Sequence, residues 1–365
     1  TGKFKTSFPA IQVKPGVEYF LNFYASLKNE DGLLKAGTKL ADAQVSLPFY
    51  QPFVAEVQSS PVIADDAASL LTLTAGNLSV GFDKETGALI SYKEGSTELI
   101  KEALRPNFWR PVTDNDMGNG MNKTLRPWRD AGRQAKLLSM KQKALGKEVY
   151  EVVSHYKLPV GESDFIVTYH FSGKGYLDVN CTFIPGNDTL PLLPRMGVSI
   201  TLNRQFSQME WLGRGPHENY IDRNTSSYVG LYKGSVADQY FPYDRPQENG
   251  NKTEVRWMSL TDTAGQGLMV VGQPYVSTSA YLFPTEDLDE PGLRKSQRHL
   301  SDIQFKDMVT WNIDLKQMGV GGDTSWGAYP HQPYLIPAER MSFSFRFCPA
   351  KQNGVSGNRQ YLNFK

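Results

Sequence analysis

The chain is 365 residues long, with 40% hydrophobic and 21% charged residues and a formal net charge of +1. That length supports a sizeable core in one large domain or two. The near-zero charge argues against a nucleic-acid partner, and no apolar run approaches the ~20 residues of a membrane-spanning helix.

The first residues, Thr1-Gly2-Lys3-Phe4-Lys5-Thr6, contain neither an initiator Met nor the apolar core of a signal peptide. They read as the cut end of something longer and leave the compartment open. From residue 1 to about 58 the pattern predicts a few strands. Ile11-Gln12-Val13 precedes a Lys-Pro-Gly turn, Tyr19 to Tyr24 is apolar enough to be covered on both faces, and Ala41 to Pro48 alternates up to a proline stop. Three strands cannot close a sandwich, so this region is expected to be the tail of a domain. The polar, proline-containing stretch from Gln58 to Asp66 is the expected linker.

From about 67 onward strands dominate. Leu78, Val80 and Phe82 alternate, turn at Asp83 to Gly87, and resume through Leu89, Ile90 and Tyr92. Phe165, Val167, Tyr169 and Phe171 share one face. Gly173-Lys174-Gly175 then turns into Leu177, Val179, Cys181 and Phe183, a hairpin by period and turn chemistry. Further strands are expected at Met196–Leu202, Glu254–Thr261, Leu268–Val271, Val309–Asp314 and Met341–Phe347. Only Asn122–Gln142 holds enough helix formers for a helical turn or two. The sum is an all-β chain, a large antiparallel sandwich of many strands. Cys181 and Cys348 each lie in an alternating run and read as buried small hydrophobes rather than a disulfide framework.

No dinucleotide fingerprint, phosphate loop, zinc-protease motif or nucleophile elbow occurs in the chain. The five histidines are scattered without ligand spacing, so no metal site is expected, and His155 and His170 read as structural residues of strands. Three segments are denser in functional residue types than a core needs. In the first, Trp109 to Gly118, Asp114-Asn115-Asp116 before Gly118 is good turn chemistry, although the same oxygens could bind a sugar or a cation. The second, Trp211 to Arg223, gathers Arg214, His217, Glu218, Asn219, Asp222 and Arg223, a set that reads as a hydrogen-bonded network pinning a long loop. The third, Met318 to Gly327, is glycine-rich around Asp323, Ser325 and Trp326, and an aromatic face on such a loop suits either core packing or the C–H face of a sugar.

These segments, in this order, resemble the C-terminal region of family 2 glycoside hydrolases that are β-galactosidases. The matching residues are Arg110-Pro111, Asp114-Asn115-Asp116 and Gly118; Gly213, Gly215-Pro216, Glu218-Asn219-Tyr220 and Asp222-Arg223; Pro246 to Gly250; and Asn312-Ile313-Asp314, Met318-Gly319, Gly321-Gly322-Asp323 and Ser325-Trp326. The resemblance covers nearly the whole chain. It implies that residues 1–58 are closing strands of an immunoglobulin-like bridging domain, and that 62–365 form a galactose-mutarotase-like supersandwich. The partner it implies is an upstream catalytic (β/α)₈ barrel of the same protein. That barrel would carry both catalytic glutamates and the Mg and Na ions common in the family, so no catalytic residue and no cofactor are assigned to this chain; homo-oligomeric assembly is compatible with the resemblance.

For the site, the resemblance implies that Trp326, with Asp323 and Ser325 beside it, stacks on galactoside substrate. Asp116, Gly118 and Asn119 would lie on a pocket-edge loop with Gly118 as hinge, and the Arg214–Arg223 motif would be structural support. Position 217, His here, is commonly Gln in that family, which argues against a catalytic role. Gly327-Ala328-Tyr329-Pro330-His331 departs from the Ser-Pro run of some bacterial members, and the tail from Asn353 to Lys365 extends past the last expected strand. Two other readings use the same fold: a free-standing aldose mutarotase or epimerase, with His170 or His217 and Glu218 as its acid and base, and an autonomous carbohydrate-binding module.

Overall fold

The computed structural model describes residues 3, 5, 10–54, 58–289, 298–324, 326–351 and 361. The chain divides into two compact units, Thr1–Glu56 and Val57–Lys365. The small unit is an antiparallel hairpin of β1 (Tyr19–Ser26) and β2 (Lys39–Leu47), in register from Tyr19 opposite Leu47. Ile11 to Val13 is not a strand. Phe23, Tyr24, Leu40 and Val45 on the hairpin are exposed.

The large unit begins with a five-stranded antiparallel sheet: β3 (Ile63–Asp66), β4 (Leu70–Ala75), β5 (Leu78–Asp83), β6 (Leu89–Glu94) and β7 (Thr97–Glu98). The expected linker is therefore half strand. Its other half is bound too, since the Ser60 amide donates to the Gly173 carbonyl at 2.9 Å and the Val62 amide to that of Lys147 at 2.8 Å.

A second, twelve-stranded sheet comprises β8 (Ile100–Asn107), β9 (Lys136–Ala144), β10 (Val149–Lys157), β11 (Asp164–Ser172), β12 (Tyr176–Ile184), β13 (Arg195–Leu202), β14 (Gln208–Gly215), β15 (Tyr228–Ser235), β16 (Lys252–Thr261), β17 (Gln266–Tyr281), β18 (Val309–Gln317) and β19 (Met341–Lys351). Its path runs β15-β14-β16-β17-β19-β12-β11-β10-β9, and β18, β13 and β8 branch from β17. The branch point has a local cause. β17 pairs with β19 up to Gln273 and with β18 from Ser277. Between them Pro274 has no N–H to give to a ladder, so one partner can end there and the next begin.

The β11–β12 hairpin faces inward with Phe165, Val167, Tyr169, Phe171, Leu177, Val179, Cys181 and Phe183 buried. The five-stranded sheet packs on this core, with Phe82 edge-on to Tyr169 at 4.9 Å between centroids. Both thiols are free and buried, and burial pushes them well above the usual thiol range. The described chain is thus nearly all β and antiparallel. Between β8 and β9 lie two short helices, α1 (Asp114–Gly118) and α2 (Met121–Thr124), and a 3₁₀ turn at Arg126–Trp128. The helical turns begin before Asn122, and Lys136–Gln142, expected among helix formers, is strand because it pairs with β10.

Candidate functional site

The three segments singled out in the sequence meet around one loop, residues 318–327. From the first, Arg110 is fully buried and its Nη2 donates both to the Gly319 carbonyl at 2.9 Å and to Asp116 Oδ1 at 3.0 Å. Asp116 closes a capping box on α1: its amide donates to Thr113 Oγ1 at 3.2 Å, and its Oδ2 accepts from the Thr113 amide at 2.9 Å. Asp116 was expected on a pocket edge and instead lies beneath the loop, with both oxygens engaged. Burial pushes its carboxyl upward, against the pull of Arg110 and the Thr113 amide.

Gly118 ends α1 where the backbone of the third segment passes. A Cβ at Gly118 would lie 3.0 Å from Gly327 Cα, and one at Gly327 would lie 2.4 Å from the Gly118 carbonyl oxygen. Gly327 also has φ +117°, which side chains rarely adopt. Asn119 caps locally, with Oδ1 accepting from the Met121 amide at 3.0 Å.

The second segment supports the same loop from below. Asp222 Oδ2 accepts from the Gly321 amide at 2.8 Å. Glu218 accepts from the Gly250 amide at 2.7 Å, from Arg223 Nη2 at 2.9 Å and from the Tyr243 hydroxyl. Asn219 Oδ1 accepts from the Thr253 amide and hydroxyl at 2.9 and 2.6 Å, and Arg214 Nη1 donates to the Asn224 and Ser227 carbonyls. His217 Nε2 is 2.9 Å from Ser227 Oγ, whereas His170 pairs with Glu151 across β10 and β11 at 3.0 Å. Glu218 is thus engaged by Gly250, Arg223 and Tyr243, while the hydrogen bonds of His170 and His217 go to Glu151 and Ser227.

On top of this base Trp326 is 86% exposed, whereas Trp109 is 7% exposed and the other four tryptophans are at most 1%. Asp323 is exposed, with Oδ1 2.8 Å from His331 Nε2. Ser325 lies outside the described residues.

Sequence reasoning missed the polar center under the loop. Arg195 on β13 reaches Glu248 at 3.3 Å and Asp314 on β18 at 3.4 Å, all three buried. Gln317 Nε2 donates to Glu248 Oε1 at 3.2 Å and to Asn251 Oδ1 at 3.1 Å, and the Tyr281 hydroxyl donates to the Asn249 carbonyl at 2.6 Å. Burial pushes the Asp314 carboxyl up to about 7, with Arg195 opposing and the Glu248 charge adding to the rise. Glu248 and Asp314 lie in matched motifs, but Arg195 carries no signal that pairs it with them. Among the described residues no three His, Cys, Asp or Glu side chains converge as a metal centre would require.

Comparison with known proteins bears on this geometry. The family described as "Beta galactosidase small chain" matches residues 74–347. The chain belongs to that family. Among curated relatives it is 36% identical over 326 residues to a β-galactosidase of Priestia megaterium, covering 88% of this chain and 31% of the relative. It is 32% identical over 351 residues to one of Lactobacillus delbrueckii subsp. bulgaricus, covering 93% of this chain and 32% of the relative. The small-chain region thus spans about a third of the length of these relatives. Among solved structures, a galactose 1-epimerase from Lactobacillus acidophilus aligns over 80% of this chain and 99% of its own, with a TM-score of 0.44 and 9% identity.

Proposed function

We propose that this small-chain region forms one wall of the galactoside site of a retaining, family 2 β-galactosidase, and that an upstream (β/α)₈ barrel of the same polypeptide supplies the chemistry. Retaining hydrolysis needs two carboxyls roughly 5 Å apart flanking the glycosidic bond, one as acid/base and one as nucleophile. The two carboxylates that share Arg195 are 3% and 0% exposed, so they cannot flank a substrate. The observation that carries the proposal is the exposed indole of Trp326 on a loop, the third segment, that the first two segments brace. An indole face offers apolar contact to the C–H side of a galactose ring and excludes water from it. In this reading Trp326 orients the sugar, Asp323 and Ser325 border it, and the Gly118 loop encloses it. The β1–β2 hairpin, with apolar side chains on its surface, would be completed by strands of a bridging domain.

The test is kinetic. In the full-length enzyme Trp326→Ala should lower kcat/KM for a chromogenic β-galactoside by about tenfold to a hundredfold, the equivalent of ~1.4 to ~3 kcal/mol of lost contact. The 365-residue chain alone should show no turnover; hydrolysis by that chain would overturn the assignment of the carboxylates to another domain.

A further inference from the structure

Trp326 can serve as a platform only if its loop is fixed, since a flexible platform loses conformational entropy each time it stacks. The loop's own composition works against that: Gly319, Gly321, Gly322 and Gly327 surround it, and glycine has the most backbone freedom to lose. Three side chains from outside the loop grip its backbone. Arg110 Nη2 donates to the Gly319 carbonyl at 2.9 Å, and Asp222 Oδ2 accepts from the Gly321 amide at 2.8 Å. Between them Asn115 Nδ2 donates to the Val320 carbonyl at 3.4 Å. Two consecutive peptide groups are thus held, the first by a donor to its carbonyl and the second by a donor to its carbonyl and an acceptor from its amide.

The fit is close enough to require glycine. A Cβ at Gly319 would lie 2.8 Å from Asp222 Oδ2 and 2.9 Å from Tyr334 Cβ, which has no freedom to swing away. Arg110 is itself fixed, fully buried and bonded to Asp116 at 3.0 Å. Both bonds leave one nitrogen, Nη2, at the far end of the guanidinium, a position that the shorter lysine side chain does not reach.

We infer that Arg110 and Asp222 are positioning residues for Trp326, which clamp the Gly319–Gly321 backbone and thereby set the direction of the indole. The inference deepens the proposed site and rests on that reading for its kinetic consequence, but its structural part can be tested separately. Because the other five tryptophans are buried, iodide quenching and time-resolved anisotropy of the quenchable fraction report on Trp326, and Trp326→Phe should delete that signal. Asp222→Ala and Arg110→Lys should increase the amplitude of fast Trp326 motion, while Asp222→Asn, which keeps an acceptor, should restore it. In the full-length enzyme the first two variants should raise KM roughly fivefold to tenfold, the scale of one lost hydrogen bond, with a smaller change in kcat.

Arg110 is buried and its variant can fail to fold; Asp222, at the half-buried edge, keeps the test decisive. A folded Asp222→Ala chain with unchanged Trp326 anisotropy overturns the inference. If Trp326→Ala raises KM and Asp222→Ala does not, the inference falls and the platform stands. If Asp222→Ala frees the indole while Trp326→Ala leaves KM unchanged, the clamp is supported and the platform reading falls.

Discussion

Two buried regions of the large unit are closed to water by opposite means. Around the β11–β12 hairpin, Phe82 of the five-stranded sheet meets Tyr169 at 4.9 Å, Phe108 meets Phe165 at 5.4 Å and Trp128 of the 3₁₀ turn meets Phe183 at 5.8 Å. That region is held by apolar area and edge-to-face ring contacts, and charge plays no part in it. Beneath the Trp326 loop, by contrast, Arg195, Glu248, Asp314 and Gln317 are all buried, with Arg195 3.3 Å from Glu248 and 3.4 Å from Asp314 and Gln317 donating to Glu248 at 3.2 Å. Apolar packing tolerates small shifts, whereas a buried ion cluster is costly unless each partner stays in place. A loop standing on the second region inherits a defined position, and that suits a surface whose indole has to point one way.

The comparison breaks most sharply under truncation. Phe165→Ala should cost about 3–5 kcal/mol in thermal or denaturant unfolding, as expected for a buried ring, and that loss should be the same from pH 5 to 9. Arg195→Met should cost a similar ~3–5 kcal/mol by stranding two buried carboxyls. Its loss should grow as pH rises, because Glu248 and Asp314 must then ionise without their cation. Equal pH profiles for the two variants would show that the polar cluster does not behave as a charged unit.

Next comes the loop contact. Gly327→Ala places a Cβ 2.4 Å from the Gly118 carbonyl oxygen at φ +117°. Strain of this kind costs about 1–3 kcal/mol, and here it should appear as altered Trp326 quenching more than as a lower Tm. The two compact units are not expected to respond alike, since the β1–β2 hairpin shares no residue with this contact.

The two regions also differ in how far the sequence disclosed them. The β11–β12 hairpin was legible because alternation over Phe165–Phe171 and Leu177–Phe183 is local and the turn between them carries its own glycines. Strand β9 was not, because Lys136, Leu137, Leu138, Lys141 and Gln142 are good helix formers and only pairing with β10 decides their state. Trp326 and the motif residues around it stood out by composition. The cluster beneath did not, since Arg195, Glu248 and Gln317 are brought together from distant stretches, 53 and 69 residues apart in the bonds they share. The resemblance implies a pocket-edge place for Asp116, and nothing in the turn sequence reveals that a buried arginine from the same segment claims its carboxylate.

Asp314 offers a smaller effect with a definite sign. Its carboxyl titrates at about 7 when folded, against ~3.9 in an unfolded chain. Between those values the folded state holds a proton that the unfolded state has released, so this group's contribution to stability falls as pH climbs from about 4 to about 7. Asp314→Asn removes that proton uptake and should flatten the slope of unfolding free energy against pH in the same window. A slope identical to wild type would mean that another buried acid, Glu248, carries the linkage.

The smallest effect is expected at the exposed end of the loop. Asp323 and His331 face each other at 2.8 Å with side chains 77% and 63% exposed, and water screens such a pair so that it contributes ~1 kcal/mol or less. Asp323→Asn should therefore leave Tm nearly unchanged, in contrast to any substitution in the Arg195 cluster. Its informative readout is substrate handling in the full-length enzyme: as a border of the sugar site, the variant should raise KM while leaving the anisotropy of Trp326 at the wild-type value. A change in anisotropy without a change in KM would instead make Asp323 a further brace of the loop, and would move the edge of the proposed sugar site away from it.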